Sequence, residues 1–92
     1  MDVLRELEDV IRDRKANPRP GSYTSQLFEA GLHEIAKKVG EEAIEVIVAA
    51  VDQDEERLAA EAADVMYHLL VLLAARNLSW DVVEAELVRR RK

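Results

Sequence analysis

Hydrophobic residues recur along most of the chain at the three- and four-residue spacing of α-helices. The predicted helices cover residues 2–15, 31–51, 55–76 and 80–90. Asn-Pro-Arg-Pro-Gly at 17–21 interrupts the pattern, and a hydroxyl of the next four residues is a candidate cap for a short helical turn ending near Ala30. Asp54 and Ser79 are the expected N-caps of the last two helices. The pattern therefore predicts an all-α chain of four helices.

The third predicted helix is apolar on almost every face between Val65 and Ala75, except at His68. A helix that is apolar all round is buried all round. Because four short helices in 92 residues cannot easily cover it, we predict a helical bundle completed by dimerisation through the second and third helices. Residues 1–92 are expected to form a single domain.

The composition of the chain indicates in which cellular compartment the protein works and which partners are not expected. The chain has 19 Asp and Glu against 13 Lys and Arg, a net charge of −6 and no Cys. The acidic balance argues against nucleic acid as a partner, and the lack of Cys excludes a thiolate metal site and fits a cytoplasmic protein. The first residues are charged, so no signal pattern is present, and the strictly apolar run Leu69–Ala75 is too short to cross a bilayer. No membrane partner is expected.

Two acidic pairs with a spacing of three residues lie on neighbouring predicted helices. Glu42 and Glu45 belong to the second helix, and Glu61 and Asp64 to the third. Residues three apart share a helix face, and antiparallel packing would bring the four carboxylates together. They would repel one another unless a cation lay among them, and all-oxygen ligation suits Mg²⁺ or Mn²⁺. We predict a metal site here; a solvated acidic face is the alternative.

The residues around these pairs have more than one interpretation. Lys37 and Lys38 either form ion pairs with the glutamates four residues further on or contact the phosphate oxygens of a substrate. His68 lies one turn beyond Asp64 and is expected to be a core histidine or to hydrogen-bond an acidic ligand. The Glu-x-x-His spacing of carboxylate-bridged di-iron sites is missing, which argues against iron.

The acidic motif has a known counterpart. Glu-Glu-x-x-Glu at 41–45 followed by Glu-x-x-Asp at 61–64 resembles the signature of the all-α NTP pyrophosphatases, the MazG-like superfamily. Ser-Tyr-Thr at 22–24, Lys-Lys-Val-Gly-Glu-Glu at 37–42 and Tyr-His-Leu-Leu at 67–70 resemble one family within it, phosphoribosyl-ATP pyrophosphohydrolase. The resemblance covers nearly the whole chain.

The resemblance implies hydrolysis of phosphoribosyl-ATP to phosphoribosyl-AMP and pyrophosphate, the second step of histidine biosynthesis, by a cytoplasmic Mg²⁺-dependent homodimer. It implies three sets of residues: catalytic Glu41, Glu42 and Glu45; metal-binding Glu42, Glu45, Glu61 and Asp64; substrate-binding Ser22, Tyr23, Thr24, Lys37 and Lys38. Arg19 and Arg76 are candidates for the phosphoribose. A fused cyclohydrolase domain is not expected.

Two other functions stay open from the sequence. A house-cleaning pyrophosphatase for other nucleoside triphosphates would share the acidic site, and the loop 17–28 argues against it. A non-enzymatic helical dimer would use the acidic seam to bind a basic partner. The last hypothesis predicts no pyrophosphate release and no dependence on divalent ions.

Overall fold

The computed structural model describes residues 2–91 and places them in five α-helices, with no β-strand in this part of the chain. The helices are α1 Val3–Ala16, α2 Tyr23–Ala30, α3 Leu32–Asp52, α4 Glu55–Ala75 and α5 Trp80–Arg89. The all-α prediction is confirmed, and the four long predicted segments correspond closely to α1, α3, α4 and α5.

Helix α2 corrects the predicted count of four helices to five. The sequence indicated only a short turn here, but both ends of the segment satisfy their backbone groups. The Ser22 hydroxyl accepts the backbone N–H of Ser25 at 3.2 Å, and the N–H of Gly31 donates to the carbonyl of Leu27 at 3.1 Å. Gly31 has φ +103°, a conformation that favours glycine, and it ends α2 and begins α3 within one residue.

Helices α3 and α4 form the most extensive helix pair, and they are joined by only two residues, Gln53 and Asp54. Asp54 caps α4 as predicted, because its side chain accepts the backbone N–H of Arg57 at 2.9 Å. A connection this short makes the two helices antiparallel neighbours. The acidic residues of α3 are thereby folded back onto those of α4.

The core lies where α1, α2 and α3 pack around the second half of α4. Its buried members are Ile11, Leu27, Ile35, Leu70, Val71 and Ala74. Helix α5 contributes Trp80, which packs against this core. Helix α5 is also bonded to α1, since Arg5 donates a hydrogen bond to Glu84. The core thus fixes the carboxyl-terminal half of α4 and leaves its amino-terminal half, with the acidic residues, paired to α3.

The N-terminus of α5 is capped from another helix. Ser79 occupies the N-cap position but makes no side-chain cap hydrogen bond, so the prediction that Ser79 caps the helix is wrong. The buried carboxylate of Glu8 in α1 accepts the backbone N–H of Trp80 at 2.6 Å. Its other oxygen lies 3.6 Å from the guanidinium of Arg12. At the positive end of a helix a carboxylate is a stronger acceptor than a serine hydroxyl, which explains why Glu8 caps α5 instead of Ser79.

Part of the uncovered apolar surface lies on α3. Between residues 65 and 75 of α4, four residues are buried and seven are half-buried, so the single chain covers the second half of α4 only in part. Four large apolar side chains in the second half of α3 are exposed: Ile44 (63%), Ile47 (62%), Val48 (44%) and Val51 (73%). Their three- and four-residue spacing makes one stripe, here called the α3 stripe. The dimer stays a prediction.

Helix α4 is long and apolar enough to cross a membrane by length and composition alone. This is weak evidence, because the core helix of a globular protein meets the same criteria. Here α4 supplies Leu70, Val71 and Ala74 to the core. The expected absence of a membrane partner stays a prediction.

Candidate active site

The α3–α4 hairpin gathers three glutamates. Carboxylate oxygens of Glu42, Glu45 and Glu61 all lie within 4.8 Å of one another, and these three residues are called the carboxyl cluster below. Glu61 is only 5% exposed, Glu42 is half-buried and Glu45 is exposed. One carboxylate oxygen of Glu42 and one of Glu61 are buried without any hydrogen-bond partner. Burying such oxygens is unfavourable unless something binds them.

The electrostatics of the carboxyl cluster centre on Glu61. A hydrogen bond with the Glu45 carboxyl, burial, and the charge of Glu45 raise the pKa of Glu61 above its ordinary value. The guanidinium of Arg57, which donates a hydrogen bond to Glu61 Oε1, opposes the rise. The neighbouring carboxyl groups and burial thus disfavour the charged form of Glu61.

The carboxyl cluster fits a hard divalent cation. Its donors are all carboxylate oxygens, and two of them are buried with no competing partner. Hard cations such as Mg²⁺, Mn²⁺ and Ca²⁺ prefer oxygen ligands, and their charge would offset the repulsion among the three groups. The structure thus supports the metal-binding interpretation over a solvated face without identifying the metal.

Asp64 is the predicted ligand that the structure leaves outside the carboxyl cluster. It lies one turn after Glu61, is exposed, and contributes to the raised pKa of Glu61 through its charge. Its backbone carbonyl accepts the Nδ1–H of His68 at 2.9 Å. Three of the four predicted ligands are therefore brought together, and the role of Asp64 stays a prediction.

The residues that flank the cluster on α3 pair with each other. Lys38 lies 3.9 Å from Glu41, and Lys37 lies 3.6 Å from Glu34. The pairs expected from four-residue spacing do not form among the described residues, since each lysine bonds to a glutamate three residues away. Neither lysine forms an ion pair with the carboxyl cluster there. Glu41 is thus paired with Lys38 and lies outside the carboxyl cluster.

Two residues of the Ser-Tyr-Thr segment, Tyr23 and Thr24, form hydrogen bonds with α4 about one turn beyond Asp64. Because Nδ1 of the neutral His68 ring donates to a carbonyl, its Nε2 accepts a hydrogen bond from the Tyr23 hydroxyl at 3.0 Å. The hydroxyls of Thr24 and Tyr67 share a second hydrogen bond, and the rings of Tyr23 and Tyr67 stack with centroids 6.1 Å apart. His68 is buried, as expected, but it bonds to a hydroxyl and a carbonyl and not to an acidic side chain.

Comparison with known proteins places this arrangement in a family. The sequence profile described as phosphoribosyl-ATP pyrophosphohydrolase matches residues 4–91. This chain belongs to the phosphoribosyl-ATP pyrophosphohydrolase family. The predicted family, and with it the assignment as a hydrolase, is confirmed.

Three curated relatives of the phosphoribosyl-ATP pyrophosphohydrolase family, each named phosphoribosyl-ATP pyrophosphatase, show the extent of the similarity. The protein from Pyrobaculum calidifontis is 57% identical, and the match covers 98% of this chain and 96% of that protein. The one from Lactiplantibacillus plantarum is 50% identical, covering 98% and 85%. The one from Clostridium botulinum (strain Hall) is 48% identical, covering 99% and 83%.

In this member of the phosphoribosyl-ATP pyrophosphohydrolase family, Arg57 is a site residue that was not predicted from the sequence. Its guanidinium bonds to Glu61, and it lines a cavity of about 260 Å³ together with Glu45, Val48, Gln53 and Glu61. The available signal was the four-residue spacing from Arg57 to Glu61, which places the two side chains on one helix face. That spacing is common on helix surfaces, so only the burial of Glu61 distinguishes this pair.

Proposed function

We propose that this protein hydrolyses phosphoribosyl-ATP to phosphoribosyl-AMP and pyrophosphate, the second step of histidine biosynthesis. The observation that carries the proposal is the carboxyl cluster of Glu42, Glu45 and Glu61, with two buried carboxylate oxygens that lack partners. A chain that belongs to a family named for this substrate, and that retains such a cluster, is suited to bind a metal-bound phosphate chain.

The carboxyl cluster would hold Mg²⁺ or Mn²⁺, with Asp64 as a further ligand from the next turn of α4. When bound, the cation supplies positive charge that polarises the phosphate and lowers the pKa of a water molecule. The pKa of Glu61 is raised by its carboxylate neighbour and by burial, and a bound cation would favour the ionised form of this group.

In the reaction, the oxygen of a water bonds to phosphorus at the α–β anhydride, and the bond to the departing pyrophosphate breaks. A nearby carboxylate receives the proton of the water. We assign the orientation of that water to Glu41, which is exposed beside the cluster and held by Lys38. Lys38 and Lys37 would offset the negative charge of the phosphates.

The remainder of the substrate would lie toward α2. Tyr23 and Thr24 are fixed against α4 by their bonds to His68 and Tyr67, so they present defined hydrogen-bonding groups to a nucleotide. Ser22 caps α2, and its role in binding would be to place these two neighbours. For the phosphoribose, Arg19 lines a cavity of about 670 Å³ between the loop and α2, while Arg76 is exposed just after α4.

The proposal is tested by measuring pyrophosphate release from phosphoribosyl-ATP, with dATP and dCTP as alternative substrates. We expect release from phosphoribosyl-ATP with Mg²⁺ or Mn²⁺, little with Ca²⁺, and none in excess EDTA, because Mg²⁺ requires tight octahedral geometry near ~2.1 Å and Ca²⁺ takes longer bonds. Preferential cleavage of the deoxynucleotides would favour a house-cleaning pyrophosphatase instead. Full activity in EDTA would rule out the metal-dependent mechanism.

We further propose that residues 1–92 act as one domain, as a homodimer in the cytoplasm, with a small nucleotide as ligand and no nucleic acid. The α3 stripe supports the dimer, because exposed apolar stripes of this kind favour association. The absence of Cys and the net charge of −6 support the compartment and the lack of a nucleic-acid partner.

A further inference from the structure

Arg57 is the cation that the chain itself places at the carboxyl cluster. Among the ion pairs of residues 2–91, the pair of Arg57 with Glu61 is the one that involves a clustered carboxylate. The Arg57 side chain is 56% exposed, whereas that of Glu61 is 6% exposed, so a largely solvated charge pairs with a buried one. The cavity of about 260 Å³ that both residues line is also lined by Glu45.

We propose that Arg57 is the built-in counter-cation of the carboxyl cluster, that a divalent cation displaces it from Glu61, and that the released guanidinium then binds the phosphate chain of the ligand. This inference rests on the proposed function for its metal ion and its phosphate ligand. The cation and Arg57 compete for the same carboxylate, because a guanidinium next to a bound divalent ion is repelled by it. A planar guanidinium freed beside a phosphate chain binds its oxygens in bidentate fashion.

A second ion pair, between Arg12 and Glu8, resembles the Arg57–Glu61 pair but has only a structural role. Arg12 and Glu8 have the same four-residue separation and nearly the same exposures, 51% and 6%. However, the second oxygen of Glu8 accepts the backbone N–H of Trp80, whereas the second oxygen of Glu61 has no partner. Glu8 is therefore satisfied by the fold, and Glu61 is left with an oxygen for another ligand.

If the divalent cation displaces Arg57, the substitution Arg57→Gln should strengthen the binding of Mg²⁺ and weaken the binding of phosphate. In Arg57→Gln, the competitor for Glu61 is gone, so Mg²⁺ alone should raise the melting temperature more than it does in the parent. Without Mg²⁺ the variant should melt lower than the parent, because a buried carboxylate has lost its partner. The matched control is Arg12→Gln, which should also melt lower but should keep the parent's response to Mg²⁺.

The phosphate half of the inference is measured with inorganic pyrophosphate in saturating Mg²⁺, by titration calorimetry. Arg57→Gln should bind pyrophosphate about tenfold or more weakly, as expected for the loss of a hydrogen bond to a charged group. Arg57→Lys, which keeps the charge, should recover part of the affinity, and Arg12→Gln should bind like the parent.

Two results would overturn the inference: a rise in melting temperature with Mg²⁺ that is no larger in Arg57→Gln than in the parent, or unchanged pyrophosphate affinity in that variant. Neither measurement uses turnover. If both effects appear but the parent releases no pyrophosphate from phosphoribosyl-ATP, the proposed function fails while the role of Arg57 is supported. If the parent is active and both effects are missing, the proposed function stands and the role of Arg57 is rejected.

Discussion

Glu61 is the residue at which the stability of the fold and the use of the site conflict. It is buried, its carboxyl lies close to those of Glu42 and Glu45, and one of its oxygens has no partner. A fold selected for stability alone would place an apolar side chain of similar size here, since buried charge is costly. The arrangement is understandable if a cation completes it, and substitutions at Glu61 should therefore separate activity from stability.

Glu61→Gln should lower the rate of pyrophosphate release by roughly a hundredfold or more, by analogy with losing one group that stabilises a transition state. In EDTA the variant should melt at the parent's temperature or higher, because one of the repelling charges is gone. Its melting temperature should rise less on addition of Mg²⁺, since the weaker metal affinity stabilises the folded state less. The control is Glu56→Gln, an exposed position on the same helix. A parent-like rate in Glu61→Gln would remove the basis for the carboxyl cluster as the site.

The raised pKa of Glu61 also predicts how metal-free stability depends on pH. The pKa of Glu61 in the folded protein lies above the ordinary value of 4.5. At a pH above 4.5, the folded protein therefore holds a proton on Glu61 more tightly than the unfolded chain does. The free energy of unfolding therefore decreases as pH rises through this window, and the penalty is complete above the folded-state pKa. In EDTA, the melting-temperature advantage of Glu61→Gln over the parent should be larger at about pH 8 than at about pH 5. An advantage that does not change with pH would contradict the assignment.

At this scale, helical periodicity predicted the meeting of Glu42, Glu45 and Glu61 because a two-residue connection leaves α3 and α4 only one way to pack. The same reasoning did not resolve Asp64, which shares a helix face with Glu61 but lies outside the cluster. Nor did it give the partners of the lysines, because several acidic groups lie within reach of each long side chain. Choices among such partners depend on rotamers and solvent exposure, which spacing does not encode.

The ends of the helices show which element features are local and which depend on the rest of the fold. Asp54 caps its own helix as predicted, and Ser22 is the one of the four candidate residues that caps α2; in both, donor and acceptor are three residues apart. Helix α5 takes its cap from Glu8, which is 72 residues away from Trp80 in the chain. No local pattern could have indicated this, because a serine at the N-cap position is itself a strong capping signal. The separate helix α2 was likewise underestimated, since a segment of eight residues carries little periodicity.

The capping arrangement of α5 predicts unequal effects of three substitutions on stability. Ser79→Ala should change the free energy of unfolding by less than about 0.5 kcal/mol, because its side chain makes no cap bond. Ser22→Ala should cost about 1 kcal/mol, the usual value for a lost serine cap. Glu8→Ala should cost about 1–3 kcal/mol, because it leaves the Trp80 N–H and Arg12 without their acceptor. Denaturant unfolding measures all three, and a Ser79→Ala effect as large as that of Ser22→Ala would contradict the observed cap.

For the whole molecule, the structure adds a reason for expecting a dimer. The sequence indicated that one chain could not cover the second half of α4, and seven of the eleven residues from 65 to 75 are only half-buried. The α3 stripe is a further exposed apolar surface, on the helix that also carries Glu42 and Glu45. Helical periodicity showed that α3 is apolar on two sides, but which side would face α4 and which would stay uncovered required the packed structure. Association through the stripe would therefore support the helix that positions the site.

The protein should be a dimer at micromolar concentration through the α3 stripe, burying on the order of 2,000 Å² or more, as obligate dimers do. Ile47→Glu should shift sedimentation toward the monomer, because it places a charge in the middle of that stripe. Val3→Glu is the control: Val3 is 66% exposed on α1, outside the stripe, and should leave the assembly unchanged. Leu70→Glu should instead prevent folding, since Leu70 is fully buried within one chain. A parent that sediments as a stable folded monomer at nanomolar concentration would refute the obligate dimer and leave the stripe unexplained.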